Sequence, residues 1–140
     1  MNFTQAVSSG YRKYVTFSGR ASRSEYWWWV LFIILSSIVV GIVEGALGLG
    51  SGMVTEVEGG VSASYAGGPL SIIWSLVNLL PGIAVGVRRL HDTDRSGWWL
   101  LIAFIPLIGA IVLLVFFCTK GTTGNNRFGA DPLGSPANVF

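Results

Sequence analysis

Long apolar runs alternate with short charged stretches along the chain, and the charges stay outside the runs. Tyr26 to Val43 is uncharged between Glu25 and Glu44, Pro69 to Val87 is uncharged up to Arg88, and Ser96 to Thr119 is uncharged between Arg95 and Lys120. Each run approaches the ~20 residues that a helix needs to cross ~30 Å of hydrocarbon. They predict three transmembrane helices over about 26–48, 69–88 and 96–118 within a membrane region 26–118. Ahead of them, Phe3, Val7, Tyr11, Tyr14 and Val15 recur at helical spacing. That spacing predicts an amphipathic helix lying along the membrane face within a cytoplasmic segment 1–25, with Arg12 and Lys13 toward anionic headgroups. The glycine-rich stretch 44–68 reads as a flexible outer connection; a small hairpin around Gly59-Gly60 is the alternative. Residues 119–140 carry turn formers (Gly121, Gly124, Asn125, Asn126, Gly129, Pro132, Gly134 and Pro136) and predict a tail with no domain of its own. The expected fold is an all-α integral membrane protein, with an amphipathic N-terminal helix plus three transmembrane helices.

Composition supports the membrane reading. Of 140 residues, 51% are apolar and only 11% charged, with a mean hydropathy of +0.61. A soluble domain carries about 25% charged residues. The balance argues against a disordered chain, a basic-patch nucleic-acid binder and an ordinary soluble enzyme. Trp27, Trp28 and Trp29 open the first run and Trp98 and Trp99 the third, at the headgroup level that tryptophan prefers; Trp74 fits the opposite interface. With the N-terminus inside, three spans place Arg12, Lys13, Arg20, Arg23, Arg88, Arg89 and Arg95 on the cytoplasmic side. Lys120 and Arg127 in the tail are then discordant, on the outer side. No cleavable signal peptide is expected, because the first long apolar run starts only at Tyr26.

One cysteine, Cys118, excludes an internal disulfide, and with the single His91 it cannot supply a zinc site from nitrogen and sulfur ligands. Cys118 is expected buried at the outer end of the third helix. No cofactor, metal site or catalytic residue is expected. A His91-Asp92 acid/base couple is the distant alternative, since sequence neighbours on a turn rarely face each other.

The densest polar stretch runs from Arg88 to Arg95, and six of its eight residues are ionisable. As a turn it is well capped: Arg88 and Arg89 suit a helix C-terminus, and Asp94 or Ser96 suits the N-terminus of the next helix. Its alternating acids and bases suggest more. Arg20, Arg23 and Glu25 belong at the same membrane depth. Asp92 and Asp94 are expected to pair with Arg20 and Arg23, leaving Arg88, Arg89 or Arg95 free for a phospholipid headgroup or an acidic partner, since the arginine fork matches phosphate. The candidate lipid- or partner-binding cluster is therefore Arg20, Arg23, Arg88, Arg89, His91, Asp92, Asp94 and Arg95. Pro81-Gly82 and Pro106 with Gly109 read as helix kinks. Neither kinked helix holds the intramembrane charge that an ion route uses.

Four blocks carry a family resemblance. Phe17-Ser-Gly-Arg-Ala-Ser-Arg-Ser-Glu-Tyr-Trp27 and Arg88-Arg-Leu-His-Asp-Thr-Asp-Arg-Ser-Gly-Trp-Trp99 are two of them. Ile105-Pro-Leu-Ile-Gly109 and Gly121-Thr-Thr-Gly-Asn-Asn-Arg-Phe-Gly-Ala-Asp-Pro132 are the others. Together they resemble the bacterial inner-membrane family called domain of unknown function 805, in order and over nearly the whole chain. The resemblance implies a small integral protein of the bacterial inner membrane and brings no established activity, substrate or catalytic residue. It also places a patterned tail opposite the arginine-rich turn under three spans. Either the family has two separate patterned surfaces or the tail returns inside.

The function expected is a non-enzymatic membrane module that binds anionic phospholipid or a partner through the inner-face cluster. A homo-oligomer or a larger membrane partner is expected; nucleic acid is not. Small residues Ser36, Ser37, Gly41 and Gly45 offer a close-packing face for such a partner. A subunit of an oligomeric transporter or channel is the alternative, and a lipid-modifying enzyme the distant one.

Overall fold

A computed structural model describes residues 2–49 and 51–133. In chain order it contains α1 (Phe3–Arg12), α2 (Arg23–Leu47), strands β1 (Ser51–Val57) and β2 (Gly60–Ala66), α3 (Pro69–Asp92), a 3-10 helix (Gly97–Phe104) and α4 (Ile108–Cys118). The turn formers Gly134 and Pro136, and Gly50 of the glycine-rich stretch, lie outside the described residues. The chain forms two compact units, Met1–Val30 with Leu80–Phe140 and Leu31–Leu79.

Helices α2 and α3, of 25 and 24 residues, are long and apolar enough to cross a membrane. Large apolar side chains along α2, among them Ile34, Ile38 and Ile42, are exposed. Such a surface suits hydrocarbon and not water.

In the second unit Glu44, fully buried, accepts from the Gly68 N–H at 2.7 Å, the Ser71 hydroxyl at 3.1 Å and the Ser71 N–H. A carboxylate at these amides suits the positive end of α3. The stretch expected to be flexible folds instead as an antiparallel hairpin, from Ser51↔Ala66 to Val57↔Gly60. The chain is thus helical but not all-α. The hairpin closes through Glu58-Gly59, one residue earlier than the glycine pair suggests, because Gly59 takes the left-handed φ of 96° that a tight turn requires.

In the first unit α1 opens with a capping box. Asn2 Oδ1 accepts from the Gln5 N–H at 2.9 Å, and Gln5 Oε1 accepts from the Asn2 N–H at 3.0 Å. The helix docks on the start of α2 through Ala6, Ser9 and Gly10, which are buried. Gly10 lies so close to the Trp29 ring that no side chain fits, and Tyr11 meets the same ring edge-on at 5.2 Å. The helix ends at Arg12, leaving Val15 exposed beyond it.

The third apolar run is not one spanning helix. Ser96 Oγ accepts from the Trp98 N–H at 3.3 Å and starts the 3-10 helix, which stops at Phe104. Pro106 brings no N–H, and Leu107 takes a left-handed φ of 63°. The turn closes its own backbone bonds, Ile105 N–H to Ile102 O at 2.9 Å and Gly109 N–H to Ile105 O at 3.0 Å. Gly109 packs directly on the Ile102 carbonyl. α4 then returns, so that Trp99 meets Phe116 edge-on at 5.5 Å. At ~2 Å per residue in a 3-10 helix and ~1.5 Å in an α-helix, each arm is about 16 Å long, half of what a span needs. Leu90, Leu113 and Phe117 form the core beneath the two arms, with Tyr26, Trp27 and Leu100 against it.

Candidate functional site

The return of α4 brings its end, and the tail behind it, to the end of α3 and the start of α2. Arg20, Glu25, Arg88, Arg89, His91 and Asp92 are all buried there. Such burial needs partners for every charge, and the local backbone supplies many. Gly19, with a φ of 88°, turns the chain into α2. The Ala21 N–H then bonds to the Arg88 carbonyl at 2.9 Å, and Ser22 Oγ caps α2 by accepting from the Glu25 N–H at 3.2 Å.

Asp92 holds two arginines. Its Oδ1 is 3.0 Å from Arg20 and its Oδ2 2.5 Å from Arg89 Nη1. Arg20 spends its other donors on the tail, on the carbonyls of Thr122 at 2.5 Å and Gly124 at 2.6 Å. Arg89 Nε donates to the Phe117 carbonyl at 3.1 Å, and Arg89 Nη2 to that of Thr119. These acceptors are carbonyls at and past the end of α4, which the helix itself leaves unpaired. Gly121 packs against the Asp92 carboxylate with no room for a side chain.

Arg88 forms a separate pair with Glu25 at 3.0 Å. The Ser9 hydroxyl of α1 donates to the same Glu25 oxygen at 2.6 Å. Because the Gly19 carbonyl faces His91 Nδ1 at 2.9 Å, that nitrogen carries the proton. The imidazole stacks on Phe128 with centroids 4.0 Å apart. Nearer the surface, Asp94 pairs with Arg127 at 3.2 Å, Arg95 lies over the Phe116 ring at 4.1 Å, and Arg23 donates to the Cys118 carbonyl at 3.3 Å. In the tail Asp131 accepts the N–H groups of Gly124 and Leu133, which holds its carboxyl below the usual range.

The expected pair Arg20–Asp92 is therefore present, and the expected pair Arg23–Asp94 is not. Arg88 and Arg89 are not free cations but buried ion-pair partners. Cys118, expected to be buried on the far side, is exposed beside Arg23. Arg95 is half-buried over an aromatic ring. The sequence reading missed Ser9, Glu25 as an ion-pair partner, and the carbonyls of 117–129. Burial is what demands them, since three sealed arginines need more acceptors than Asp92 and Asp94 supply, and burial is not legible in sequence spacing. His91 and Asp92 face different partners, the Gly19 carbonyl for the imidazole Nδ1 and Arg20 with Arg89 for the carboxylate. Among the described residues no three His, Cys, Asp or Glu side chains are grouped to hold a metal ion.

The family described as "Protein of unknown function (DUF805)" matches residues 14–130. The inner membrane protein YhaI of Escherichia coli (strain K12) is 46% identical over 121 residues, covering 86% of this chain and 89% of that protein. The inner membrane protein YhaH of the same organism is 43% identical over 121 residues, covering 86% and 90%. No solved structure matches.

Proposed function

This chain belongs to the DUF805 family, and on that premise we propose that it is a non-enzymatic module of the bacterial inner membrane that gathers anionic phospholipid at its cytoplasmic face. The observation that carries the reading is the division of its basic residues by burial. Arg20, Arg88 and Arg89 are sealed inside and hold the unit together. Arg12, Lys13, Arg23, Lys120 and Arg127 are exposed on the same unit. The returning tail supports the reading of the charge count with the N-terminus inside. Lys120 and Arg127 join the other seven, so all nine Lys and Arg lie on one side with the N-terminus inside. Each exposed cation at an anionic surface contributes about 1 kcal/mol, lessened by salt.

His91 supports the non-enzymatic reading, since its Nδ1 is bound by a carbonyl and its ring is stacked. The test is native mass spectrometry of the protein from bilayers of mixed phosphatidylglycerol and phosphatidylcholine. Wild type is expected to retain phosphatidylglycerol in preference. A Lys13→Gln/Arg23→Gln/Lys120→Gln variant is expected to lose most of that preference. Equal retention of both lipids by wild type refutes the reading.

A further inference from the structure

Arg88 differs from the other two buried arginines. Arg20 and Arg89 spread their donors over a carboxylate and several carbonyls. Arg88, with its side chain 1% exposed, makes one such bond, from Nη1 to Glu25. Its Nε and Nη2 are buried and meet no acceptor. Those two nitrogens form one edge of the guanidinium, where parallel N–H bonds match two oxygens of a single oxyanion. Nearby carboxylates are committed elsewhere: Asp92 to Arg20 and Arg89, Asp94 to Arg127, and Asp131 to the tail amides. Buried donors left unmet are rare and call for an explanation.

What stands beside this pair is α1, a ten-residue helix held on the start of α2 by the Ser9–Glu25 bond, by Gly10 and Tyr11 on Trp29 and by Phe3 edge-on to Trp28. None of these anchors belongs to the Arg20–Asp92–Arg89 knot, so α1 can lift from α2 as a local unit while the knot stays closed. One turn beyond Ser9 on the same helix face, exposed Arg12 supplies a second cation.

We propose that the Nε/Nη2 edge of Arg88 is the receptor for a phosphate oxyanion, and that α1 is the cover which admits it. The inference deepens the reading above and rests on its placing this unit at the headgroup level. The phosphate belongs either to a phospholipid headgroup or to free phosphate, which share this chemistry.

The experiment uses delipidated full-length protein in a maltoside detergent and follows its melting temperature. Inorganic phosphate and short-chain phosphatidylglycerol are titrated separately. Saturable stabilisation by either supports the site, and which one stabilises identifies the source. Arg88→Lys keeps a cation for Glu25 but lacks the parallel N–H pair, and its affinity is expected to fall at least ten-fold. An Arg88→Lys response equal to wild type overturns the proposal, as does a wild type that neither probe stabilises. Should Arg88→Lys not fold, the Arg88 Nε–H resonance of ¹⁵N-labelled wild type decides. It must move on saturation with the probe, and an unmoved resonance overturns the site. The Lys13→Gln/Arg23→Gln/Lys120→Gln variant is expected to keep the Arg88 response, so the basic rim and the buried site fail independently.

Discussion

Asp92 and Asp94 stand two residues apart and carry the same charge, yet they do different work. Asp92 is 2% exposed and clamps two buried arginines, whereas the Asp94–Arg127 pair has side chains 48% and 61% exposed. Removing the shared anion leaves two buried cations without it, a loss of about 3–5 kcal/mol. Breaking the exposed pair costs about 0–1 kcal/mol. Asp92→Asn is therefore expected to lower the unfolding midpoint sharply, and Asp94→Asn hardly at all. Asparagine also tolerates the left-handed φ of 57° at position 94, so that variant isolates the ion pair. Chemical denaturation of the two variants side by side checks this, and equal losses would refute it. The Arg20–Asp92 pair was legible in the sequence because both residues flank apolar runs at one depth. The Asp94 partner was not, because Arg127 reaches it only when the tail returns. Nor does sequence spacing reveal burial, so Arg88 and Arg89 looked available while they were structural.

Among the elements, α2 and α3 follow directly from hydropathy and length. The third run has apolar residues enough for a span, and nothing in its hydropathy marks a break. Only Pro106 and Gly109 do, and a proline with a glycine nearby reads equally as a kink. The difference lies in backbone packing. A Cβ at Gly109 would collide with the Ile102 carbonyl, and a carbonyl cannot swing aside as a side chain does. Gly109→Ala is expected to cost at least about 1–3 kcal/mol by overpacking. At Gly45 nothing lies within 4 Å. There alanine is expected to be neutral or to stabilise α2 by up to about 1 kcal/mol through helix propensity. Melting temperatures of both variants in one detergent test the contrast, and a Gly109→Ala protein as stable as wild type would argue for a straight helix. The hairpin of β1 and β2 shows the same limit: the glycines announce a turn, but the pairing beside it comes from the backbone partner.

At the scale of the molecule, the charge count along the sequence suggests one orientation, with Lys120 and Arg127 discordant under three spans. The buried cluster ties the tail to the end of the unit that holds Arg20 and Arg89, because these bond the carbonyls of Phe117, Thr119, Thr122, Gly124 and Gly129 as well as Ala21 and the Asp92 carboxylate. One knot thus binds α2's start, α3's end, the returning arm and the tail. The claim is tested most directly by the side of the membrane on which the tail lies. In a Cys118→Ser background, single cysteines Ser8→Cys and Asn125→Cys, both at exposed positions, report the two ends. Spheroplasts are treated with an impermeant maleimide before and after the membrane is opened. The account predicts that neither cysteine is labelled until opening, and that both are labelled after it. Labelling of Asn125→Cys in sealed spheroplasts, with Ser8→Cys protected, would restore three full spans and contradict the returning hairpin.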